Sequence, residues 1–124
     1  MRQIITIFAV LAMTVAANAA TFLDQYGRAW ELKMPPKEYV GIPYHGKLVT
    51  YPMPTEQVRE ICSDAVGKYE DTGCALIWPD QCLIFINSDL PKKYFDAVYI
   101  HERAHCVGWP ADHPTDPNGP QLFP

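Results

Sequence analysis

The sequence predicts a small α+β domain with two main helices and a small, mainly antiparallel sheet. Three stretches indicate this class: an amphipathic helix over residues 54–66, a hairpin of apolar strands over residues 74–86, and a second helix over about residues 91–108. Removal of a predicted leader leaves about 105 residues (124 − 19), enough for one small core. We therefore predict a single domain over residues 20–124, ending in a loop over residues 109–124.

The leader, residues 1–19, has the pattern of a secretory signal peptide. Arg2 supplies the positive start, residues 4–16 form an apolar stretch too short to span a membrane, and residues 17–19 (Ala-Asn-Ala) match a cleavage site. We expect an exported bacterial protein, periplasmic or secreted, with no membrane anchor after processing.

The charge balance of the processed chain argues against polyanionic partners. Loss of Arg2 leaves 9 basic residues (10 − 1) against 14 acidic ones, so the net charge of −4 becomes −5. Nucleic acid and anionic membranes would repel such a chain. We expect neither as a partner, and we expect a monomer.

The region before the first helix is rich in prolines and aromatic residues. Residues 22–30 predict two short strands around a turn at Gly27, and residues 46–51 alternate as a half-buried strand does. This region could form a sheet edge or a lid. His45 lies in its loop and could approach a metal, although loop histidines are more often only solvated.

The first helix, residues 54–66, is predicted to build core. Thr55 is its expected cap, and acidic residues fill its first turn. Its apolar face comprises Val58, Ile61, Cys62 and Ala65.

The second helix is expected to begin after Asp89 as its cap. Ala97 and Val98 share a face with two histidines, while Ile100, Ala104 and Val107 form another face. A helix that is apolar nearly all round is buried.

This second helix carries the pattern of a metal site. His101 and His105 are four residues apart, so both imidazoles stand on one helix face and can bind one ion. Glu102 can accept a proton from a metal-bound water without being a ligand itself. A catalytic zinc needs a third protein ligand, which must come from elsewhere.

The residues after the helix offer two candidates for that ligand. Gly108 can end the helix in a left-handed conformation, and Pro110 prevents it from resuming. The resulting turn can bring either Asp112 or His113 over the histidine face. We prefer His113 because neutral imidazole is a good zinc ligand. Asp112 is the alternative, either as a ligand or hydrogen-bonded to a ligand histidine.

Four cysteines in the processed chain predict disulfides, since an even number is typical of small exported domains. Four cysteines allow three pairings. We expect Cys62 with Cys106, joining the two helices, and Cys74 with Cys82, within the hairpin.

The stretch His101-Glu102-x-x-His105-x-x-Gly108 resembles the start of the zincin metallopeptidase signature in its metzincin-like form. It departs from that form in two ways: the third metzincin ligand would fall at Ala111, and no methionine follows the motif. The ending Gly108-Trp109-Pro110-x-Asp112-His113 also looks like that of a group of small secreted bacterial proteins with a zincin-like core. The resemblance covers roughly residues 54–113 and is specific only over residues 101–113.

The resemblance implies a zinc metallopeptidase with one Zn²⁺ per chain and Glu102 as general base. Its substrate would be a peptide or a protein of the cell envelope. In zincins a sheet edge beside the metal helix accepts the peptide as an added strand. Leu76–Trp78 or Leu83–Asn87 could serve here, and we favour a core role for the second because it is so apolar.

Two further classes of function fit the sequence. The protein could be a periplasmic module that binds metal without turnover. It could also be a disulfide-stapled interaction module that binds no metal. The small size of the chain supports this hypothesis, because a small chain leaves little room for a cleft.

Overall fold

The computed structural model describes residues 19–23 and 29–114, with side chains from residue 31 onward. Five strands, two α-helices and one short 3₁₀ helix follow one another within these residues. Their order is β1 (Ala19–Leu23), β2 (Ala29–Lys33), the 3₁₀ helix (Lys37–Tyr39), β3 (Lys47–Met53), α1 (Thr55–Val66), β4 (Gly73–Trp78), β5 (Gln81–Asn87) and α2 (Lys92–Cys106). The predicted α+β class and both predicted helices are confirmed.

The strands form two separate sheets. β1 and β2 pair antiparallel, and β3, β5 and β4 form a mixed sheet in that order. β4 and β5 are the predicted antiparallel hairpin, whereas β3 runs parallel to β5. Two of the three described strand pairs are therefore antiparallel, as predicted, and β5 lies in the centre of the larger sheet.

The two α-helices pack against opposite faces of the larger sheet. Successive side chains of a strand point to opposite faces. In β5, the buried side chains of Cys82, Ile84 and Ile86 pack in a cluster with Val98 of α2. Phe85, between them in sequence, belongs to the cluster on α1. The sheet is thus the middle layer between two helices.

Helix α2 is also covered on the side that faces away from this sheet. Met34, just after β2, is buried with Ala97, and Leu32 of β2 packs against both. No residue from position 94 to position 106 is exposed. Six residues of α2 are buried, whereas Lys92 and Lys93 at its start are exposed, so the prediction of a buried helix is confirmed for the part that carries the metal motif. The metal-motif residues are thus supported from two directions.

The expected disulfide pairing is wrong. The bridges are Cys62–Cys74 and Cys82–Cys106. A bridge between the helices would have to cross the sheet that separates them. A bridge within the hairpin fails because Cys82 lies opposite Ile77 in the register, while Cys74 lies opposite Phe85. Each bridge instead ties one helix to the sheet face it covers.

Both expected helix caps are also wrong, for one shared reason. Pro54 and Pro91 occupy the N-cap positions, and neither helix has a side-chain cap hydrogen bond there. Thr55 is the first residue of α1, and its backbone N–H donates to the carboxylate of Asp89 at 3.0 Å. Strands β3 and β5 are parallel and end in register, so the segments that follow them meet at one sheet edge. Asp89 therefore serves α1 and not the helix it precedes.

Several sequence predictions concern residues that the structure does not describe. The predicted signal peptide lies outside the described residues apart from Ala19, as do the turn at Gly27 and the last ten residues of the C-terminal loop. Neither of the described α-helices combines the length and the apolar character needed to cross a membrane.

Candidate metal centre

His101 and His105 lie one turn apart on α2, and their imidazole rings are directed toward the same position. Their Nε2 atoms are 3.4 Å apart. Two ligands about 2.05 Å from one tetrahedral zinc ion are roughly 3.3 Å apart. The separation of the two nitrogens therefore fits a shared ion.

The other ring nitrogen of each histidine is hydrogen-bonded to a backbone carbonyl. His101 Nδ1 lies 2.5 Å from the oxygen of Lys33, and His105 Nδ1 lies 2.8 Å from the oxygen of Trp109. A carbonyl only accepts, so each neutral ring carries its proton on Nδ1 and a lone pair on Nε2. Two lone pairs that face each other at 3.4 Å repel, and a cation between them removes the repulsion. Such carbonyl contacts are the usual support of metal-binding histidines.

The end of α2 brings the third histidine to this point. The N–H of Trp109 donates to the oxygen of Ala104 at 3.0 Å, and the N–H of Gly108 donates to the oxygen of His105 at 3.1 Å. These two bonds form a Schellman motif, which requires the positive φ of 107° that Gly108 has. The predicted helix-ending role of Gly108 is confirmed.

A turn after Pro110 then completes the cluster. The N–H of His113 donates to the oxygen of Pro110 at 3.0 Å. One ring nitrogen from each of His101, His105 and His113 can be chosen so that all three lie within 4.8 Å of one another. The structure thus brings the three predicted histidines together, and this cluster could hold a metal ion.

Two other predicted candidates lie apart from the cluster. Asp112 is exposed and contributes no atom to the group. His45 is exposed and is likewise not in the group. His113, the preferred third ligand, has a φ of 56°, and a non-glycine residue held there costs about 1 kcal/mol or more. Strained backbone of this kind is often found at functional sites.

Burial keeps the histidines neutral. It lowers the pKa of His101 to about 3, against the opposing effect of the hydrogen bond to Lys33. The pKa values of His105 and His113 are also lowered, mainly by burial. Because a metal ion competes with protons for these nitrogens, a lowered pKa favours metal binding at neutral pH.

Glu102 is buried beside the histidines. Its Oε1 lies 3.7 Å from His101 Nε2, so the carboxyl group is on the same side of the helix as the candidate ligand atoms. Burial raises its pKa to about 8, and the negative charge of Glu70 adds to this. A carboxyl group with a pKa near neutrality can both take up and release a proton, which suits general acid–base chemistry.

Trp109 is a site residue that the sequence analysis missed. Its ring stacks on His105 with centroids 4.8 Å apart and meets His101 edge-on at 5.0 Å. Its carbonyl orients His105, and its Nε1 donates to the oxygen of Pro114 at 2.8 Å. The sequence does indicate this position of Trp109, because a large apolar residue after the glycine of a Schellman motif folds back on the helix.

The cluster opens into a cleft of about 430 Å³, a volume typical of small-ligand sites. One wall consists of the three histidines, Glu102 and Trp109. The other lining residues come from the end of α1, the following loop and β4, and include Val66, Lys68, Glu70, Ala75 and Ile77. Glu70 was also missed, because only the fold brings this loop to the metal helix.

Comparisons with protein-family models, with curated proteins and with solved structures found no match to this chain.

The described cluster is compatible with several metals, since imidazole nitrogens suit zinc, copper, iron and nickel alike.

Proposed function

We propose that the protein is a zinc-dependent hydrolase that cleaves peptide bonds, with Glu102 as its general base. One observation carries the proposal. The Nε2 atoms of His101 and His105 face each other at 3.4 Å with their Nδ1 atoms bound to carbonyls, and the Glu102 carboxyl group lies 3.7 Å from the first of them. A metal site with a buried carboxyl group beside it is the minimal equipment for hydrolysis.

Zinc suits this set of residues. Neutral imidazoles are good zinc ligands, and three protein ligands leave a position open for water or substrate, as in catalytic zinc sites. His101, His105 and His113 would hold the ion. The fit rests on the facing lone pairs and on the neutral state of buried His101.

A zinc ion held there would lower the pKa of water and would polarise a carbonyl group. Glu102 takes the proton from the attacking water and later delivers it to the leaving amine. Burial raises the pKa of Glu102, and the positive charge of a bound ion would counter that effect, so that Glu102 could act in its carboxylate form. Trp109 and the carbonyl of Lys33 keep the histidine rings in place during these steps.

The substrate fits best as an extended peptide along β4. This strand is at the edge of the mixed sheet, and its residues Ala75 and Ile77 line the cleft. Main-chain hydrogen bonds to an open sheet edge are a general mode of peptide binding. The other candidate stretch, Leu83–Asn87, belongs to β5, whose two edges are occupied by β3 and β4, so it cannot serve.

The two disulfides indicate an oxidising environment. We place the activity in the cell envelope or outside the cell, where peptides and envelope proteins are available.

The first experiment is elemental analysis of the oxidised protein, purified without chelator or histidine tag. We expect about one zinc per chain, lost in His101→Ala and His113→Ala and kept in His45→Ala, whose histidine lies outside the cluster. Loss in Asp112→Asn instead of His113→Ala would make Asp112 the third ligand. Absence of metal, and no uptake of added zinc, would contradict the proposal.

Peptide hydrolysis is then assayed on the zinc-loaded protein with unstructured peptides. We expect cleavage that Glu102→Gln reduces by at least about a hundredfold, since general base catalysis contributes that much. Zinc content equal to wild type in this variant separates chemistry from binding. A zinc-loaded wild type that cleaves no peptide, like its Glu102→Gln variant, would instead be a non-catalytic metal-binding module.

A further inference from the structure

Glu70 is an acidic residue of the cleft that the proposed mechanism does not use. We propose that it selects substrates carrying a positively charged amine close to the scissile bond. This inference rests on the peptide-hydrolase function proposed above. It concerns specificity and assigns Glu70 no part in the chemical step.

Glu70 is held firmly in place by α1. Gly67 ends that helix with a φ of 75°, and the chain turns back toward Ser63. The N–H of Glu70 donates to the Ser63 hydroxyl at 2.9 Å, and that hydroxyl donates to the Glu70 carbonyl at 3.1 Å. The bridge from Cys62 to Cys74 fixes α1 to the sheet. A residue fixed in this way can discriminate between ligands, because little ordering is required when a ligand binds.

Among the described residues, none with a positive charge is in direct contact with the carboxylate of Glu70. Its Oε2 accepts the N–H of Thr72 at 3.1 Å, and Thr72 is neutral. Within the part of the chain that the structure describes, Glu70 forms no ion pair, and Lys68 acts on it only at longer range. Asp71 adds negative charge beside it. A partly buried carboxylate without a counter-charge is unfavourable, so a cation from the substrate would be bound tightly.

An ammonium group is the form of positive charge that suits this position. It is compact, with three rotatable donors, and the cleft of about 430 Å³ must also admit the scissile bond. A lysine side chain and the free amino terminus of a peptide both present this group. Selection of a lysine side chain would make the protein an endopeptidase with a preference for lysine. Selection of a free amino terminus would make it an aminopeptidase.

Binding to the zinc-loaded Glu102→Gln protein tests the selectivity without turnover. Three matched short alanine peptides serve as probes: a blocked peptide with a central lysine, the same peptide with methionine in place of lysine, and the methionine peptide with a free amino terminus. Trp109, in the cleft wall, provides a fluorescence signal. The same series is measured with Glu70→Gln added, and with Glu60→Gln added as a control for the loss of one acidic residue at an exposed position of α1.

We expect one of the two charged peptides to bind at least about tenfold more tightly than the blocked methionine peptide, as a charge-assisted hydrogen bond allows. Glu70→Gln should remove this preference and leave the affinity for the neutral peptide unchanged, while Glu60→Gln should change neither. Equal binding of all three peptides, or a preference that survives Glu70→Gln, would overturn the selectivity alone. Binding of no peptide, with no cleavage by the wild type, would overturn the peptide-hydrolase function as well.

Discussion

Helices α1 and α2 cover opposite faces of one sheet, yet they are buried to different extents. Only Val58 and Cys62 are buried in α1, which packs through a single side. In α2, six residues are buried, including His101 and Glu102, because β2 and Met34 cover the side that the sheet leaves open. The difference indicates why the candidate centre belongs to α2: ligand atoms and a buried carboxyl group need support from both sides.

The two disulfides follow the same division between the helices. Cys62 and Cys74 tie α1 to the edge strand β4, while Cys82 and Cys106 tie the last residue of α2 to the central strand β5. Cys106 directly follows His105 and precedes the turn that holds Trp109. The second bridge therefore fixes the end of the helix from which the cluster is built.

Removal of each bridge should separate stability from metal binding. Cys62→Ala with Cys74→Ala, and Cys82→Ala with Cys106→Ala, should each lower the free energy of unfolding by about 3 kcal/mol, with sequence separations of 12 and 24 residues. Only the second pair should also weaken zinc binding, by about tenfold or more, because it frees the turn that orients His105. Denaturation and zinc competition with a chelator provide the two measurements. Equal losses of zinc affinity in both variants would contradict the division of roles.

A second difference between the helices concerns pH, because α2 carries two buried groups with opposite shifts. The pKa of Glu102 is raised from 4.5 to about 8, so the folded protein binds more protons than the unfolded chain between these values, and stability falls as the pH rises. The pKa of His101 is lowered from 6.5 to about 3, so its contribution to stability increases with pH between these values. Above pH 6.5 this contribution no longer changes. The window from pH 6.5 to 8 therefore isolates Glu102.

In that window the metal-free protein should lose stability with rising pH, at most about 1.4 kcal/mol per pH unit from this one group. Glu102→Gln, which cannot ionise, should show a smaller loss than the wild type. Urea denaturation at several pH values measures both. Bound zinc should reduce the wild-type loss, because a nearby cation stabilises the carboxylate. A stability that is independent of pH in the metal-free wild type, or identical in the variant, would be inconsistent with a raised pKa for Glu102.

The sequence predicted the features that depend on neighbouring residues. Both helices, the β4–β5 hairpin, the helix end at Gly108 and the approach of His113 all follow from spacing within short stretches. It failed where distant segments meet. The parallel pairing of β3 with β5 has no local signature, and it decides that Thr55 meets Asp89. The placement of the sheet between the helices likewise decides the disulfides and brings Glu70 to the cleft.

Asn87 forms a hydrogen-bond network at the end of the parallel strands β3 and β5. Its removal should affect the side of the sheet that carries α1 and leave the metal centre on α2 unchanged. Asn87 is buried, its Nδ2 donates to the oxygen of Asp71 at 2.9 Å, and its Oδ1 accepts the N–H of Asp89 at 2.8 Å. Asn87→Ala leaves these backbone groups without partners and should lower the free energy of unfolding by about 2 kcal/mol. Ser88→Ala, at the exposed neighbouring position, should have little effect.

Zinc affinity should be the same in Asn87→Ala, Ser88→Ala and the wild type, because the supports of His101 and His105 are the carbonyls of Lys33 and Trp109, which lie on the other side of the sheet. Denaturant titration and zinc competition on the same samples compare the two quantities directly. A parallel loss of stability and zinc affinity would mean that the two faces of the sheet are coupled. In that case α1 would support the metal centre through the sheet, and the difference between the helices would be one of burial alone.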